Sequence, residues 1–372
     1  MKQSVLEYKK LLEQKGLLVE FAEPEGKEGE DRPVTLVTYF SGGADQGTLF
    51  LCKGAAFKEA YLKDAVNRGA VAYVSEKEYE AGKEIPALIV NDARKAQFVL
   101  GEAFYDYPAK SLHVTALTGT KGKTTTTYMV KSILEEVGIK VGLIGTIEAI
   151  IGDKSIPANN TTPESYTIQK YFAEMVEAGC DCVVMEVSSQ GLMLHRTAGI
   201  PFEIGIFTNL GRDHIGPNEH KDFDDYKRCK GLLFKQCKLG IANVDDKYFK
   251  DVFKGSTCKI ETFGFSPEAD LRAENVELVS RPGYLGVAYH VAGVMDFDVE
   301  IDVPGKFSVY NSLTAISVCR HFQVPVEMIK DALKKAKVKG RIEMIKVSDD
   351  FTLMIDYAHN AMSLESLLTT LK

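Results

Sequence analysis

Long apolar runs are missing from this chain. No stretch approaches the length of a membrane span, and the opening MKQSVLEYKKLLEQKG places its leucines at helical spacing rather than in a signal-peptide core. A membrane location is therefore not expected, and the chain reads as cytoplasmic. No run of lysines and arginines looks like a nucleic-acid or membrane patch, and the net charge of −7 is mild, so neither nucleic acid nor a membrane surface is an expected partner. Small charged ligands stay open. Cys-x-x-Cys pairs are absent among the seven cysteines, which suits reduced thiols better than a disulfide framework or a zinc site. Cys180 and Cys182 lie in an apolar run and read as buried thiols. Low-complexity tracts and repeats are missing too. Ser188 and Ser189 lack the glycine pattern of a nucleophile elbow, so they read as binding residues and not as parts of a Ser/His/Asp hydrolase.

What is present is ample core material. A chain of 372 residues, 45% hydrophobic and 26% charged, can bury two or three ordinary cores. Residues 1–110 read as a small α/β domain: the opening helix, PVTLVTYF, the strand GTLFLC, a helix KEAYLKDAVNRG and the strand AVAYV. YDYPAKS then resembles a linker. From Ser111 to residue 345, strand and helix patterns alternate: HVTALTG, a helix with Met129, Val130, Ile133, Leu134 and Val137 on one face closed by Gly138, then KVGLIG, SYTIQKYFAEMVEAG, CDCVVMEVSS, FEIGIFTN, YKRCKGLLF and LGIAN. Such alternation argues for an α/β fold with a mostly parallel sheet flanked by helices. Residues 346–372 hold one further strand, FTLMIDYAH, and a helical face of Leu364, Leu367, Leu368 and Leu371. They read as the start of a third α/β domain, incomplete at Lys372.

Ligands of such sheets gather at the carboxyl ends of the strands. Three polar clusters fall there: Gly119–Thr126, Glu186–Ser189 and Asn209–His214. In TGTKGKTTT, glycines allow close approach of backbone N–H groups to phosphate, Lys123 can reach terminal phosphates and Thr124 can bind magnesium. Leu117 occupies the place of the generic loop's first glycine, so a plain turn between strand and helix stays open beside a phosphate loop. Glu186, ending an apolar strand, is either a metal ligand or a solvated strand end. His214 can be a ligand or a polar loop residue. Lys230 sits beside Leu233 and Phe234; on a buried helix face its ammonium needs a partner or a lowered pKa, and otherwise it is a surface lysine.

TGTKGKTTT, NNTTPES, MEVSSQGLMLHR, FTNLGRDHIGPNEH, YKRCKGLLF, GRIEMI and DYAHN occur in the order in which they are found in Mur ligases. The chain resembles most closely the type that adds the third residue of the peptidoglycan stem peptide, the UDP-N-acetylmuramoyl-tripeptide synthetase or MurE type. The resemblance runs from about residue 30 to the end. It implies a phosphate loop in which the glycine has moved to Gly119, and an ATP-dependent, ADP-forming amide ligation through an acyl phosphate. It further implies that Gly119, Thr120, Gly122, Lys123, Thr124 and Thr125 hold ATP and magnesium, with Asn311 at the adenine and Arg341 and Asp356 near the γ-phosphate and ribose. Glu186 and His214 match magnesium ligands, and Lys230 matches a lysine that is carbamylated to hold a second magnesium. Ser41, Thr161, Thr162, Ser188 and Arg196 match contacts to the UDP-sugar peptide. The partners so implied are a UDP-N-acetylmuramoyl dipeptide and an amino acid, bound by a monomer. Folylpolyglutamate or cyanophycin synthetase-like ligases and a non-catalytic nucleotide-binding scaffold are the alternatives.

The sequence departs from the family pattern in several places. Phe40, Ser41 and Gly42 stand where the family has Asp-Ser-Arg, Gln190 where histidine is common, Lys121 in place of asparagine and Ala361 in place of proline. With only the start of a third domain in the sequence, weak ligation by the chain alone is expected.

Overall fold

The computed structural model describes residues 3–26, 29–54, 57–217, 219–281, 284–336, 343–345, 353–356, 358, 364, 365 and 368. It divides into two units. Unit 1 comprises residues 1–111, 163–174 and 194–199, and unit 2 the remainder.

Unit 1 opens with α1 (Val5–Gln14) and β1 (Leu18–Ala22), followed by β2 (Leu36–Thr38), β3 (Thr48–Leu51), α2 (Glu59–Asn67), β4 (Ala70–Ser75), β5 (Ala87–Val90) and α3 (Ala93–Phe104). Its sheet has the order β1-β5-β4-β3-β2, parallel except for β1. Phe50, Leu62, Ala65, Tyr73 and Ile89 form one of its apolar clusters. Glycine at 101 lets α3 approach the backbone of Tyr166 closely, since a Cβ there would meet the Tyr166 Cα at 3.3 Å.

In unit 2, β6 (His113–Thr118) runs into α4 (Lys123–Glu136), then β7 (Val141–Ile144), β8 (Glu148–Ile151) and β9 (Lys154–Pro157). Helix α5 (Ser165–Glu177) follows, most of it in unit 1. After it come β10 (Cys182–Glu186), α6 (Ser189–Met193), β11 (Phe202–Phe207), α7 (Phe223–Gly231), β12 (Cys237–Asn243), α8 (Phe249–Val252) and β13 (Lys259–Gly264). The hairpins β14 (Leu271–Arg281), β15 (Tyr284–Gly293) and β16 (Phe297–Ile301) precede α9 (Lys306–Cys319), α10 (Val326–Lys335) and the pair β17 (Glu343–Ile345) and β18 (Leu353–Ile355).

Among the described residues the large sheet of unit 2 has the order β16-β15-β14-β13-β12-β11-β6-β10-β7-β8-β9. It is parallel from β7 to β14 and antiparallel at both margins. The fold is thus α/β with a mostly parallel sheet flanked by helices. The antiparallel margins add to what alternation alone predicts.

Helix α4 forms where its apolar face was expected: Met129, Val130, Ile133 and Leu134 are buried against Leu117, Val184 and Ile206, and α9 packs on the same cluster through Val309, Leu313 and Ile316. At about 1.5–3 kcal/mol for each buried aliphatic side chain, this face is the main attachment of the helix that starts after Gly122. Cys180 and Cys182 are buried free thiols, and burial pushes the Cys182 thiol up to about 12. No helix among the described residues is long and apolar enough to cross a membrane.

Candidate active site

Strand register brings the expected clusters together. Glu186 lies opposite Leu117, and Phe207 opposite Thr118, so β10, β6 and β11 end side by side. Leu117 is fully buried core of the strand. The chain turns one residue pair later, at Gly119, whose φ of +153° and lack of room, a Cβ there running into Thr208 Oγ1, both demand glycine. Gly122, at φ +87°, is the second such position, because a Cβ would meet Asn311 Oδ1. These two glycines explain the displaced motif: close backbone approach is needed at 119, whereas 117 packs the core.

The loop between them is clamped from the end of β11. Thr120 N donates to Asn209 O at 2.9 Å, Lys121 N to Asn209 Oδ1 at 2.9 Å, Thr208 Oγ1 to Lys121 O at 2.8 Å and Asn209 Nδ2 to the same carbonyl at 3.0 Å. Gly211 N donates to Thr120 Oγ1 at 2.9 Å, and that oxygen lies 3.0 Å from the Tyr226 hydroxyl. Gly122 is the N-cap of α4, and no side chain caps the helix. Its leading N–H groups are left open at the positive end of the dipole, a ready anion site. Thr124 is buried in the first turn and Thr125 half-buried beside it.

Two lysines converge on one carbonyl. Lys123 Nζ donates to Gly119 O at 2.8 Å and to Thr120 O at 3.3 Å, while Lys230 Nζ donates to Gly119 O at 2.9 Å. Lys230 comes from α7, one turn after Tyr226, and its Nζ sits 4.6 Å from that ring's centroid. Only 1% of Lys230 is exposed. Burial, then the charge of Lys123, pulls its ammonium well below the usual lysine range, with Asp213 opposing. The surface reading of this lysine is thereby excluded.

Glu186 is buried, so it is not a solvated strand end. Its Oε1 accepts from Thr146 N at 2.9 Å and its Oε2 from Thr146 Oγ1 at 2.9 Å. Thr161 Oγ1 lies 3.0 Å from the same hydroxyl. Thr162 Oγ1 donates to Glu186 O at 3.1 Å and accepts from Ser188 N at 2.9 Å, and Ser188 Oγ accepts from Gly191 N at 3.0 Å. Thr161, Thr162, Glu186 and Ser188 thus form one polar strand end. The carboxylate of Glu186 and the hydroxyl of Thr124 are hard oxygen donors of the kind magnesium takes.

His214 has a left-handed φ of +53°, and its Nδ1 lies 3.0 Å from Glu219 Oε1. Lys121, the departure in the loop, faces Asp213 at 3.7 Å. Asn311, on α9, is buried, with Thr126 Oγ1 3.4 Å from its Oδ1. Beside it Tyr310 donates to Asp245 Oδ2 at 2.8 Å and meets the Phe265 ring edge-on at 4.9 Å. Asp356 accepts from Ala358 N at 2.7 Å within its own loop. Arg341, Ala361 and most of the expected terminal helix lie outside the described residues.

In unit 1, Ser41 lies in a short 3-10 turn, Ser41–Gly43, near Asp64, whose carboxyl Arg68 and then Ser41 hold below the ordinary range. Arg196 Nη2 meets Glu164 Oε1 at 2.9 Å, and Lys53 pairs with Glu164 Oε2. Sequence reading missed Glu164 and Lys53, and in unit 2 it missed Thr146, Thr208 and Tyr226. Only Tyr226 carried a signal, its spacing of four from Lys230 on one helix face.

Comparison with known proteins agrees with this geometry. The Mur ligase middle domain family matches residues 117–319. The chain is 42% identical over 337 residues to UDP-N-acetylmuramoyl-L-alanyl-D-glutamate–2,6-diaminopimelate ligase 1 of Clostridium acetobutylicum, covering 89% of this chain and 69% of that protein. It is 39% identical over 315 residues to the corresponding ligase of Caldanaerobacter subterraneus subsp. tengcongensis, covering 84% and 64%. This chain therefore spans about two thirds of the length of these relatives. A solved structure of a UDP-N-acetylmuramoyl-L-alanyl-D-glutamate–2,6-diaminopimelate ligase shares the fold, with a TM-score of 0.78 at 24% identity over 91% of this chain and 70% of that one. With a family match across more than half its length and a relative 42% identical over 337 residues, the chain belongs to the Mur ligases.

Proposed function

We propose that the chain is the ATP-binding and acceptor-binding part of an amide ligase of peptidoglycan precursor synthesis. The acceptor is UDP-N-acetylmuramoyl-L-alanyl-D-glutamate, and diaminopimelate, the amino acid named for both relatives, is the first candidate for addition. One observation carries the reading: an uncapped helix N-terminus and two lysines meet at a glycine loop beside a strand that ends in a buried carboxylate.

In this reading the acceptor's carboxylate attacks the γ-phosphorus of ATP, giving an acyl phosphate and ADP, and the amine of the incoming amino acid then displaces phosphate. The residues position reactants and neutralise charge rather than form covalent intermediates. Gly119, Thr120 and Gly122 shape the cradle, the leading N–H groups of α4 hold phosphate oxygens, and Lys123 lies along the loop to meet the terminal phosphate. Asn311 and the Tyr310–Phe265 pair serve the adenine side. Thr124, Glu186 and His214 would hold magnesium, and the ion would supply charge neutralisation at the phosphates. Lys230, whose burial favours the neutral amine, adds in that form to carbon dioxide: its nitrogen lone pair bonds the carbon, a proton leaves to solvent, and a carbamate anion results. Thr161, Thr162, Ser188, Arg196 and Ser41 serve the acceptor.

Titration calorimetry tests the reading. Magnesium-ATP should bind the chain and be lost in Lys123→Ala, and the UDP-N-acetylmuramoyl dipeptide should bind and be weakened in Arg196→Ala. ATP affinity unchanged in both Lys123→Ala and Glu186→Ala would refute the assignment of the nucleotide site.

A further inference from the structure

Unit 2 holds a pair of thiols that the nucleotide chemistry does not use. Cys237 opens β12, and Cys258 immediately precedes β13. These strands run parallel, and Leu239 opposite Lys259 is their first register pair. Counted back from that pair, the two cysteines stand at the amino ends of neighbouring strands. Strand rise and spacing put their Cα atoms roughly 6 Å apart, inside the range of about 4.4–6.8 Å that a disulfide spans. Both are free thiols, Cys237 buried and Cys258 half-buried. Among the described residues the other five cysteines are buried, so Cys258 is the sulfur that a solute reaches first.

The sheet makes room for both sulfurs. Gly205 of β11 and Gly240 of β12 are register partners, about 5 Å apart across the sheet. A Cβ at Gly205 would lie 2.9 Å from Cys237 Sγ, and one at Gly240 would lie 2.9 Å from Cys258 Sγ. Two strand-interior glycines, each a cost to its strand, thus leave adjoining spaces that the thiols fill. Phe234 and Phe253, stacked with centroids 4.0 Å apart, close over the Gly240 side, where a Cβ would also meet Phe253 at 2.7 Å and Phe234 at 3.4 Å. Burial pushes the Cys237 thiol up, and the Cys258 thiol adds to that shift, as two sulfurs at close quarters should.

We infer that Cys237 and Cys258 are a redox-modification site, at which exchange with a low-molecular-weight disulfide forms a reversible protein disulfide. Cys258 loses its proton to solvent, and its thiolate attacks one sulfur of the small disulfide. The S–S bond of that molecule breaks, and one small thiolate leaves with the electron pair. Cys237 gives its proton to the departing thiolate and attacks Cys258 Sγ, releasing the second small thiolate, which takes a proton from solvent. Two protein thiols are oxidised, and one disulfide is reduced to two thiols. The new bond encloses residues 237–258. Within them Asn243 Nδ2 donates to Thr208 O at 2.8 Å, and Asp246 Oδ2 accepts from Leu210 N at 2.7 Å. The cross-link therefore secures the base of the segment that props the clamp on the Gly119 loop, while lying at the amino ends of the strands rather than at the carboxyl ends where that loop sits.

Oxidation of the folded chain with glutathione disulfide, followed by alkylation, digestion and mass spectrometry, tests this beside thermal melting. The Cys237 and Cys258 peptides should be recovered linked, the melting temperature should rise by about 3–8 °C, and dithiothreitol should reverse both. Cys237→Ala should stop with one glutathione on Cys258, and Cys258→Ala should show neither the link nor the rise. The native chain decides the matter even where a variant folds poorly. A glutathione that stays on its Cys258, a link formed only after unfolding, or a link that fails to raise the melting temperature would overturn the site. The Kd for magnesium-ATP should stay within about twofold on oxidation, and a larger rise would overturn the separation of the thiol pair from the nucleotide loop. Failure of the reduced chain to bind magnesium-ATP would instead strike the nucleotide assignment, and the link and the melting shift would still decide the thiol site.

Discussion

Lys230 and Lys53 are both lysines that burial pulls below the ordinary range, yet different groups meet their nitrogens. Lys230 donates to a backbone carbonyl that Lys123 already shares, and the second cation adds to its shift. Lys53 meets a carboxylate that opposes the shift. A carbonyl dipole can hold either an ammonium or a neutral amine, whereas a carboxylate favours the ammonium. The first arrangement thus favours the neutral amine that the proposed function needs at the Gly119 loop, and the second favours a charge. Burial alone does not decide a lysine's role; the partner on its nitrogen does.

The largest effect expected on the nucleotide side of this comparison is Lys123→Ala. In the proposed function this removes the cation assigned to the transferring phosphoryl group, and the rate of ADP formation in the presence of acceptor, amino acid and magnesium should fall by about 10²–10³-fold. A loss below about tenfold would show that Lys123 serves only the loop carbonyls it touches in this structure. Gly119→Ala should come next. Its Cβ would run into Thr208 Oγ1 at a φ that side chains avoid, costing about 1–3 kcal/mol. ATP affinity should fall with stability, and a native melting temperature would mean that the clamp from Thr208 and Asn209 yields easily.

Lys230→Met breaks the comparison directly. Because the folded-state pKa of Lys230 lies below its unfolded value, the unfolded chain binds more protons between the two, and native stability rises with pH across that window. It falls as pH drops toward the folded pKa. Methionine removes both the penalty and the slope, so at neutral pH the variant should melt higher, by about 2–4 °C for each kcal/mol recovered, although ligation is lost. Calorimetric melting across pH would check the sign; parallel profiles for the two proteins would show that Lys230 is not held neutral. Carbamylation of the native chain should appear as a bicarbonate-dependent carbamate signal in ¹³C NMR that Lys230→Met lacks.

The contrast also shows what the sequence made legible. Strand and helix alternation revealed the parallel centre of the large sheet, because each buried strand is a short apolar run and α4 carries its apolar face at helical spacing. Gly119 and Lys123 were legible as a loop since glycine and lysine there serve local geometry. The antiparallel margins were not. Strand β14 exposes most residues from Glu274 to Arg281, so no inward face marks its register, which its partner β15 sets. In the site, Thr208 and Asn209 gain their roles only when β11 is placed beside β6. Glu164 and Arg196, 32 residues apart in the chain, acquire meaning only as a pair. A charged residue before a helix carries no periodic signal that distinguishes it from a solvated one.

The smallest prediction tests whether stability in unit 1 can be lowered without touching the nucleotide site. Ser4 and Glu7 close a capping box at α1: Ser4 Oγ accepts from Glu7 N at 3.3 Å and Glu7 Oε2 from Ser4 N at 2.8 Å. The box fixes the start of a helix whose Val5, Tyr8 and Leu12 are buried. Ser4→Ala removes one of the two reciprocal bonds and should cost about 1 kcal/mol, measured as a lower urea midpoint followed by a probe in unit 1. Helix α1 belongs to unit 1 and the Gly119–Gly122 loop to unit 2, so the Kd for magnesium-ATP should not change. If it rises with the loss of stability, the order of the nucleotide loop depends on unit 1, and the separate treatment of the buried lysines in the two regions no longer holds.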